Sequence, residues 1–324
     1  MVSSASAAAD PSYPPLPPCA TAPPPFPGEK PFDVPVIDME NLESERLGDV
    51  CRSLGIFRLV NHGLPREVSS RLRAEARKIF ELPFERKREE MSVLGRGRPV
   101  VYFWGTPIVG LSVGSVNWLE GLQVPLALLQ DGDCGDPVCS DFLRTLAAEY
   151  GKHMIRIVRT LFDSLALDLK LDPGLSDSYM NASSGIFRSY RYPCLPECQS
   201  YMGMRSHTDS SVLAVVDEDE VGGLQIQQGN TWFCVMPVPD TLIVNIGDMM
   251  QVISNDEYRS VVHRVLANRT SERTSLCFFA FPKEDFKIRS LSYKEFTYKE
   301  FNAQVHEDVM ETGDKIGLKK FLIS

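Results

Sequence analysis

Hydrophobic spacing changes character along this chain. The first stretch has none: prolines stand at 11, 14, 15, 17, 18, 23, 24, 25, 27 and 31. A ring that fixes φ and removes the N–H donor resists helix and ladder pairing at that density, so residues 1–32 are expected to form a disordered proline-rich tail. Val34-Pro35-Val36-Ile37-Asp38 alternates weakly and ends on a turn former, as an edge strand that tolerates proline does. Two helices should follow. In the second, Pro65 suits the first turn, Val68, Leu72, Ala76 and Ile79 make one apolar face, and Pro83 ends it. A longer packing helix starts near Ser140 and carries Leu143, Leu146, Tyr150, Met154, Val158, Leu161 and Leu165 at helical spacing.

From Gly185 the pattern switches to short alternating runs broken by Gly, Pro, Asn and Asp: Ser211–Val216, Gly223–Gln227, Thr231–Val235, Thr241–Ile246, Val261–Leu266 and Thr274–Phe281. Regularly spaced short strands mean a sandwich or barrel. Helix returns over Tyr298–Met310, where Phe301, Val305 and Val309 are four apart. The expected fold is mainly β with supporting helices, a double-stranded β-helix (jelly roll) behind a helical N-terminal region. By segment, residues 33–170 form the N-terminal helical and strand region, 171–290 the jelly-roll core and 291–324 a C-terminal helical segment.

Composition narrows the partners. Hydrophobic residues at 43% and charged ones at 24% are ordinary for a globular protein. A net charge of -9, from 34 basic against 43 acidic residues, argues against nucleic acid, whose phosphates need clustered cations. The densest basic run, Arg86-Lys87-Arg88, is flanked by Glu85, Glu89 and Glu90 and reads as a solvated helix end. Asp217-Glu218-Asp219-Glu220 reads in the same way as a solvated hairpin tip, its spacing being wrong for a calcium loop. Eight cysteines are too few for a disulfide scaffold, and the pairs Cys134/Cys139 and Cys194/Cys198 lack the two-residue gap of a zinc knuckle. No apolar run approaches the ~20 residues of a membrane span, and the N-terminus lacks the marks of a signal or transit peptide. A cytoplasmic protein with reduced thiols is expected, with the nucleus as a second place and no membrane partner.

The chemistry lies in a few residues. Of five histidines, His62, His153 and His306 read as structural. In His207-Thr208-Asp209 the ligand types are two apart, which in extended backbone puts both on one face. His263 sits in a second alternating run. Two imidazoles and a carboxylate on one face of an octahedral ion leave three positions open, the arrangement suited to iron(II) that must bind a co-substrate and dioxygen together. Ten positions on, Arg273-Thr274-Ser275 puts a guanidinium and a hydroxyl on one strand face. A buried guanidinium needs an anion, and its fork matches a carboxylate such as the far end of a dicarboxylate. In isolation the motif reads more readily as an arginine paired with a surface Glu such as Glu272.

Together these motifs resemble the plant 2-oxoglutarate/iron(II) dioxygenases. The likeness extends to Gly55-Ile56-Phe57, Asn61-His62-Gly63, Arg188-Ser189-Tyr190-Arg191-Tyr192-Pro193 and Asn245-Ile246-Gly247-Asp248, and covers roughly residues 33–320. It implies Fe(II) on His207, Asp209 and His263 as the catalytic centre. It also implies 2-oxoglutarate as co-substrate, held at its far carboxylate by Arg273, Ser275 and Tyr192, with ascorbate as reductant in assays. Where the family usually has Asn, this chain has Tyr190, whose ring either reshapes the pocket or packs in the core.

Trp104-Gly105-Thr106-Pro107, the segment Trp118 to Leu126, and the C-terminal Phe296-Thr297-Tyr298 stretch look like gibberellin 2-oxidases of the twenty-carbon class. That resemblance implies 2β-hydroxylation and inactivation of a hormone, with Phe103, Trp104 and Trp118 as substrate contacts. Leu122 and Gln123 replace a usual aromatic and His, so another hormone or a phenolic or flavonoid acid stays open, as does a catalytically silent metal-binding jelly roll.

Overall fold

The strand alternation noted above decides which side chains face which layer, and a computed structural model shows the result for residues 10–14, 30–91, 100–105, 117–129, 141–194, 202–268 and 270–323. In chain order the N-terminal elements are β1 (Lys30–Phe32), β2 (Val36–Asp38), α1 (Ser44–Ser53), β3 (Ile56–Val60), α2 (Arg66–Phe80), α3 (Phe84–Met91), β4 (Val101–Trp104), β5 (Glu120–Pro125), α4 (Asp141–Asp168) and α5 (Ser176–Tyr179). Then come β6 (Asn181–Tyr192), β7 (Met202–His207), β8 (Leu213–Glu218), β9 (Leu224–Gln228), β10 (Thr231–Val235), β11 (Leu242–Ile246), α6 (Asp248–Ile253), β12 (His263–Leu266), β13 (Arg273–Phe281), β14 (Lys287–Ile288), β15 (Phe296–Thr297) and α7 (Tyr298–Thr312). Ser140, Thr106, Pro107, Cys134, Cys139 and Cys198 lie outside the described residues.

Two sheets make the core, one ordered β1-β10-β9-β12-β7 and the other β2-β3-β11-β8-β13-β6-β5-β4. Cross-strand partners share a face, so the registers sort the larger sheet cleanly. Phe57, Val244, Val215, Phe278, Phe187 and Val124 point outward and pack with the buried face of α4, whose Tyr150, Met154, Val158, Leu161 and Leu165 are fully buried. Arg58, Ile243, Val216, Cys277, Arg188 and Gln123 point inward, toward the smaller sheet. Ile56, Tyr190, Tyr192 and Phe103 share that interior with Leu224, Ile226 and Val265 of the facing sheet. The mainly β double sheet with helices behind it is thus observed. Its larger sheet also takes β2 to β5 from the N-terminal third. Among the described residues no helix is long and apolar enough to cross a membrane.

Two expectations fail here for tertiary reasons, and two short pieces of the proline-rich stretch take part in the fold. The proline-rich stretch 1–32 is structured at both of its described parts. Lys30–Phe32 pairs in parallel with β10, on a sheet edge where proline is tolerated. Ser12 is 3% exposed, and the Pro11 carbonyl accepts the Phe84 N–H at 2.8 Å. Lys87, expected in a solvated run, is fully buried. Its Nζ donates to the carbonyls of Ser12 and Phe80 and to Glu120 Oε2, the last at 2.6 Å, while Arg191 pairs with the other Glu120 oxygen. The acidic run is engaged rather than solvated: Asp217 pairs with Arg73, Glu218 with Arg273, and Asp219 accepts from the Thr274 backbone and hydroxyl.

Candidate metal centre

His207 ends β7 and stands directly across from His263, which opens β12. Their rings lie 4.2 Å apart between centroids. Asp209 was expected on the same extended strand, but β7 stops at His207 and the carboxylate arrives from the turn beyond. That turn is fixed from the other sheet and from the C-terminal segment. Asp209 Oδ2 accepts from Asn245 Nδ2 at 2.8 Å, and its carbonyl accepts from the Asp248 N–H at 2.8 Å. Lys315 Nζ donates to the Thr208 carbonyl at 2.9 Å and meets Asp248 Oδ2 at 2.6 Å.

The three side chains converge, with one donor atom of each within 4.8 Å of the others, the one such group of three among the described residues. Each imidazole turns Nδ1 to the carbonyl two residues before it, at 2.8 Å for His207 to Arg205 and 3.1 Å for His263 to Val261. A carbonyl only accepts, so Nδ1 carries the proton and Nε2 presents its lone pair. Both Nε2 atoms face Asp209 Oδ1, at 3.6 and 3.8 Å, too far for a hydrogen bond. Burial and the neighbouring His207 push His263 down to about 4. Burial works against the Asp209 carboxylate, but the two imidazoles and Asn245 outweigh it and hold the group below its ordinary range. Two neutral nitrogens and one anionic oxygen around a gap suit a divalent cation with open positions.

Arg273 points into the interior and is 1% exposed. It lies across from Tyr192, 4.9 Å above that ring, and its Nη1 donates to Ser275 Oγ at 3.3 Å. Nε is buried without a partner, an orphaned donor of the kind a bound carboxylate satisfies. The competing partner envisaged from sequence, Glu272, instead accepts from Tyr13 and Arg77. Glu218 takes its place, with Oε2 accepting from Arg273 Nη2 at 3.0 Å. Sequence reading missed that residue, although Ala214, Val216 and Glu218 alternate in phase and so share the inner face.

The expected substrate contacts divide. Phe103 faces inward, with its ring 6.0 Å from Tyr190. Trp104, next along the strand, points to the opposite face and packs on Tyr13 and Phe84, and Trp118 sits edge-on against it at 5.2 Å. Period-two alternation makes it impossible for Phe103 and Trp104 to line the same pocket. The inner face also carries Arg188, unremarked in the sequence beyond its motif. It bonds Gln123 Oε1 at 3.0 Å and Tyr190 Oη at 3.2 Å and lies over Phe279, and among the described residues no carboxylate forms an ion pair with it. His62 is structural: Nδ1 accepts from the Leu64 N–H at 3.2 Å, and Nε2 faces the Asp240 carbonyl at 3.3 Å.

A jelly roll that gathers a two-histidine, one-carboxylate set beside a buried arginine defines the class of non-haem iron oxygenases using a 2-oxo acid. Comparison with known proteins makes this specific. The 2OG-Fe(II) oxygenase superfamily profile matches residues 183–282, and that of the non-haem dioxygenase N-terminal region, described from morphine synthesis, matches 34–99. Gibberellin 2-beta-dioxygenase 6 of Oryza sativa subsp. japonica is 34% identical over 89% of this chain and 85% of its own length. Gibberellin 2-beta-dioxygenase 8 of Arabidopsis thaliana is 32% identical over 90% and 87%. Among solved structures, JOX2 in complex with 2OG, Fe and JA matches with a TM-score of 0.77 at 26% identity over 91% of each chain. The chain belongs to the 2-oxoglutarate- and iron(II)-dependent oxygenases, is an oxidoreductase, and takes iron and 2-oxoglutarate as cofactor and co-substrate.

Proposed function

We propose that this oxygenase hydroxylates a gibberellin at the 2β position, inactivating the hormone in the cytoplasm, with iron on His207, Asp209 and His263. Arg273, Ser275 and Tyr192 hold the far carboxylate of 2-oxoglutarate. The observation that carries the site is the convergence of two lone-pair nitrogens and one carboxylate oxygen on a single point. Iron(II) with 2-oxoglutarate supplies the oxidising chemistry, dioxygen being shared between the substrate and the succinate formed. The chain's own work is to place and to shield. Asn245 and Lys315 hold the Asp209 turn, and Phe103 and Tyr190 form an apolar wall that excludes water.

Two observations support an acidic, largely apolar substrate. The rice and Arabidopsis dioxygenases named above act, by their names, on gibberellins. Arg188 offers a cation on the inner face with only neutral partners, Gln123 and Tyr190, among the described residues. A guanidinium so placed suits a substrate carboxylate. The test is incubation with iron(II), ascorbate, 2-oxoglutarate and nineteen- and twenty-carbon gibberellins, alongside jasmonic, indole-3-acetic and phenolic acids, read by mass spectrometry. A gibberellin gaining one oxygen at C2 is expected. Turnover of one of the other acids alone would replace the substrate assignment, and iron binding without succinate from any of them would favour a silent binding protein.

A further inference from the structure

The guanidinium assigned above to 2-oxoglutarate already has a carboxylate against it. Glu218 stands directly across from Ser275 in the β8/β13 register, so the two share the inner face with Arg273. Its Oε2 accepts from Arg273 Nη2 at 3.0 Å, and the pair is nearly dry, with Glu218 5% and Arg273 1% exposed. The other oxygen, Oε1, is buried without a hydrogen-bond partner. Of the arginine fork, one N–H serves Ser275 and one serves Glu218, while Nε remains for a ligand.

A second carboxylate docking on this arginine therefore arrives beside a first. Like charges sharing a buried site disfavour each other, and little solvent is present to screen them. The other charges near by do not remove the conflict. Asp219 adds negative charge and is turned to the Thr274 backbone, while Arg58 feels the Glu218 charge but points its guanidinium at Thr241 Oγ1 and the Met236 carbonyl, at 2.8 and 2.7 Å, with no hydrogen bond to Glu218.

We infer that Glu218 competes with the far carboxylate of 2-oxoglutarate for Arg273 and thereby sets the affinity for the co-substrate. The buried acid lowers the advantage of a dicarboxylate over a 2-oxo acid with no second carboxylate. This rests on the assignment of Arg273 as the anchor, and the experiment separates the two.

Full-length protein loaded with iron(II) is titrated anaerobically by calorimetry with 2-oxoglutarate and with 2-oxopentanoate, its equal-length monocarboxylate. Glu218→Gln keeps the shape and removes the charge, so its Kd for 2-oxoglutarate is expected to fall roughly tenfold, while that for 2-oxopentanoate stays within about twofold. An unchanged or higher Kd for 2-oxoglutarate, or an equal fall for both ligands, overturns the inference. If the amide variant does not fold, Glu218→Asp, whose shorter reach withdraws the charge, carries the same test. A Kd for 2-oxoglutarate below wild type supports the competition, and one at or above it overturns it. Arg273→Gln reports on the anchor alone: if it binds 2-oxoglutarate as tightly as wild type, the assignment of Arg273 fails together with the inference.

Discussion

Single side chains here act through what their neighbours leave unsatisfied. His207 and His263 present Nε2 as the ligand atom because Nδ1 of each donates to the carbonyl of Arg205 or Val261, so removing either ring removes a ligand without disturbing a strand. His207→Ala is expected to lower iron(II) affinity at least ~100-fold and abolish turnover while the far-ultraviolet circular dichroism is unchanged; full activity in that variant contradicts the metal assignment. Arg188→Leu is expected to raise KM for an acidic substrate ~10–100-fold and to leave KM for 2-oxoglutarate alone. Steady-state kinetics with each substrate varied in turn makes the distinction. Glu120 is structural, fully buried between Lys87 and Arg191 and bonded by Tyr102 at 2.7 Å. Glu120→Gln leaves buried Lys87 without its anion and Arg191 with Glu272 alone, at 3.7 Å, and should cost about 3 kcal/mol of stability, read from urea unfolding. A loss below about 1 kcal/mol would mean that water reaches the cluster.

At the level of elements, the centre depends on junctions more than on strands. Gly247 joins β11 to α6, and a Cβ there would stand 2.1 Å from the Ser211 carbonyl. Gly247→Ala must therefore push α6, and with it the Asp248 amide that holds Asp209, away from the ligand turn. Weaker iron binding with the strands intact is the expected result, measured by titration of the metal. Helix α7 works at longer range. Its Asp308 accepts from the Ile316 and Gly317 amides, both at 3.1 Å, and meets Lys320 at 3.2 Å, fixing the turn that carries Lys315 to Thr208. Burial alone would raise the Asp308 carboxyl, but the Gly317 amide, Lys320, Gln304 and the Ile316 amide outweigh it and lower it. A carboxylate held below its unfolded value contributes stability that is complete above about pH 4 and disappears as pH falls through the folded value. Asp308→Asn should accordingly cost ~1–3 kcal/mol near neutrality and narrow its gap to wild type in acid. A gap independent of pH in urea titrations would exclude this role.

The sequence announced the double sheet well because buried strands repeat at two and α4 at three to four. Boundaries slipped where turns borrow strand-like residues. Ser211 and Val212 read as the start of β8 but use their carbonyls on Met249 and Gly247 at the α6 junction. His207 and His263 were legible from the His207-Thr208-Asp209 spacing, the alternating run around His263 and the family resemblance, and the β7/β12 register is what brings the two rings opposite each other. Glu218 and Lys87 were not, because a charged run looks the same whether water or a distant counter-ion satisfies it, and the counter-ions here are Arg273 and Glu120. Trp104 was misplaced by one residue of parity that only the β4/β5 register fixes.

At the scale of the whole molecule, β5 and β4 extend the larger sheet beyond β6, and β3 and β2 extend it beyond β11. Both flanks of the catalytic sheet are thus closed by polypeptide from the first 125 residues. A fragment beginning after α4 would present two raw strand borders whose amides and carbonyls have nothing to bind but another copy of themselves. Such a piece should precipitate rather than work as a miniature enzyme.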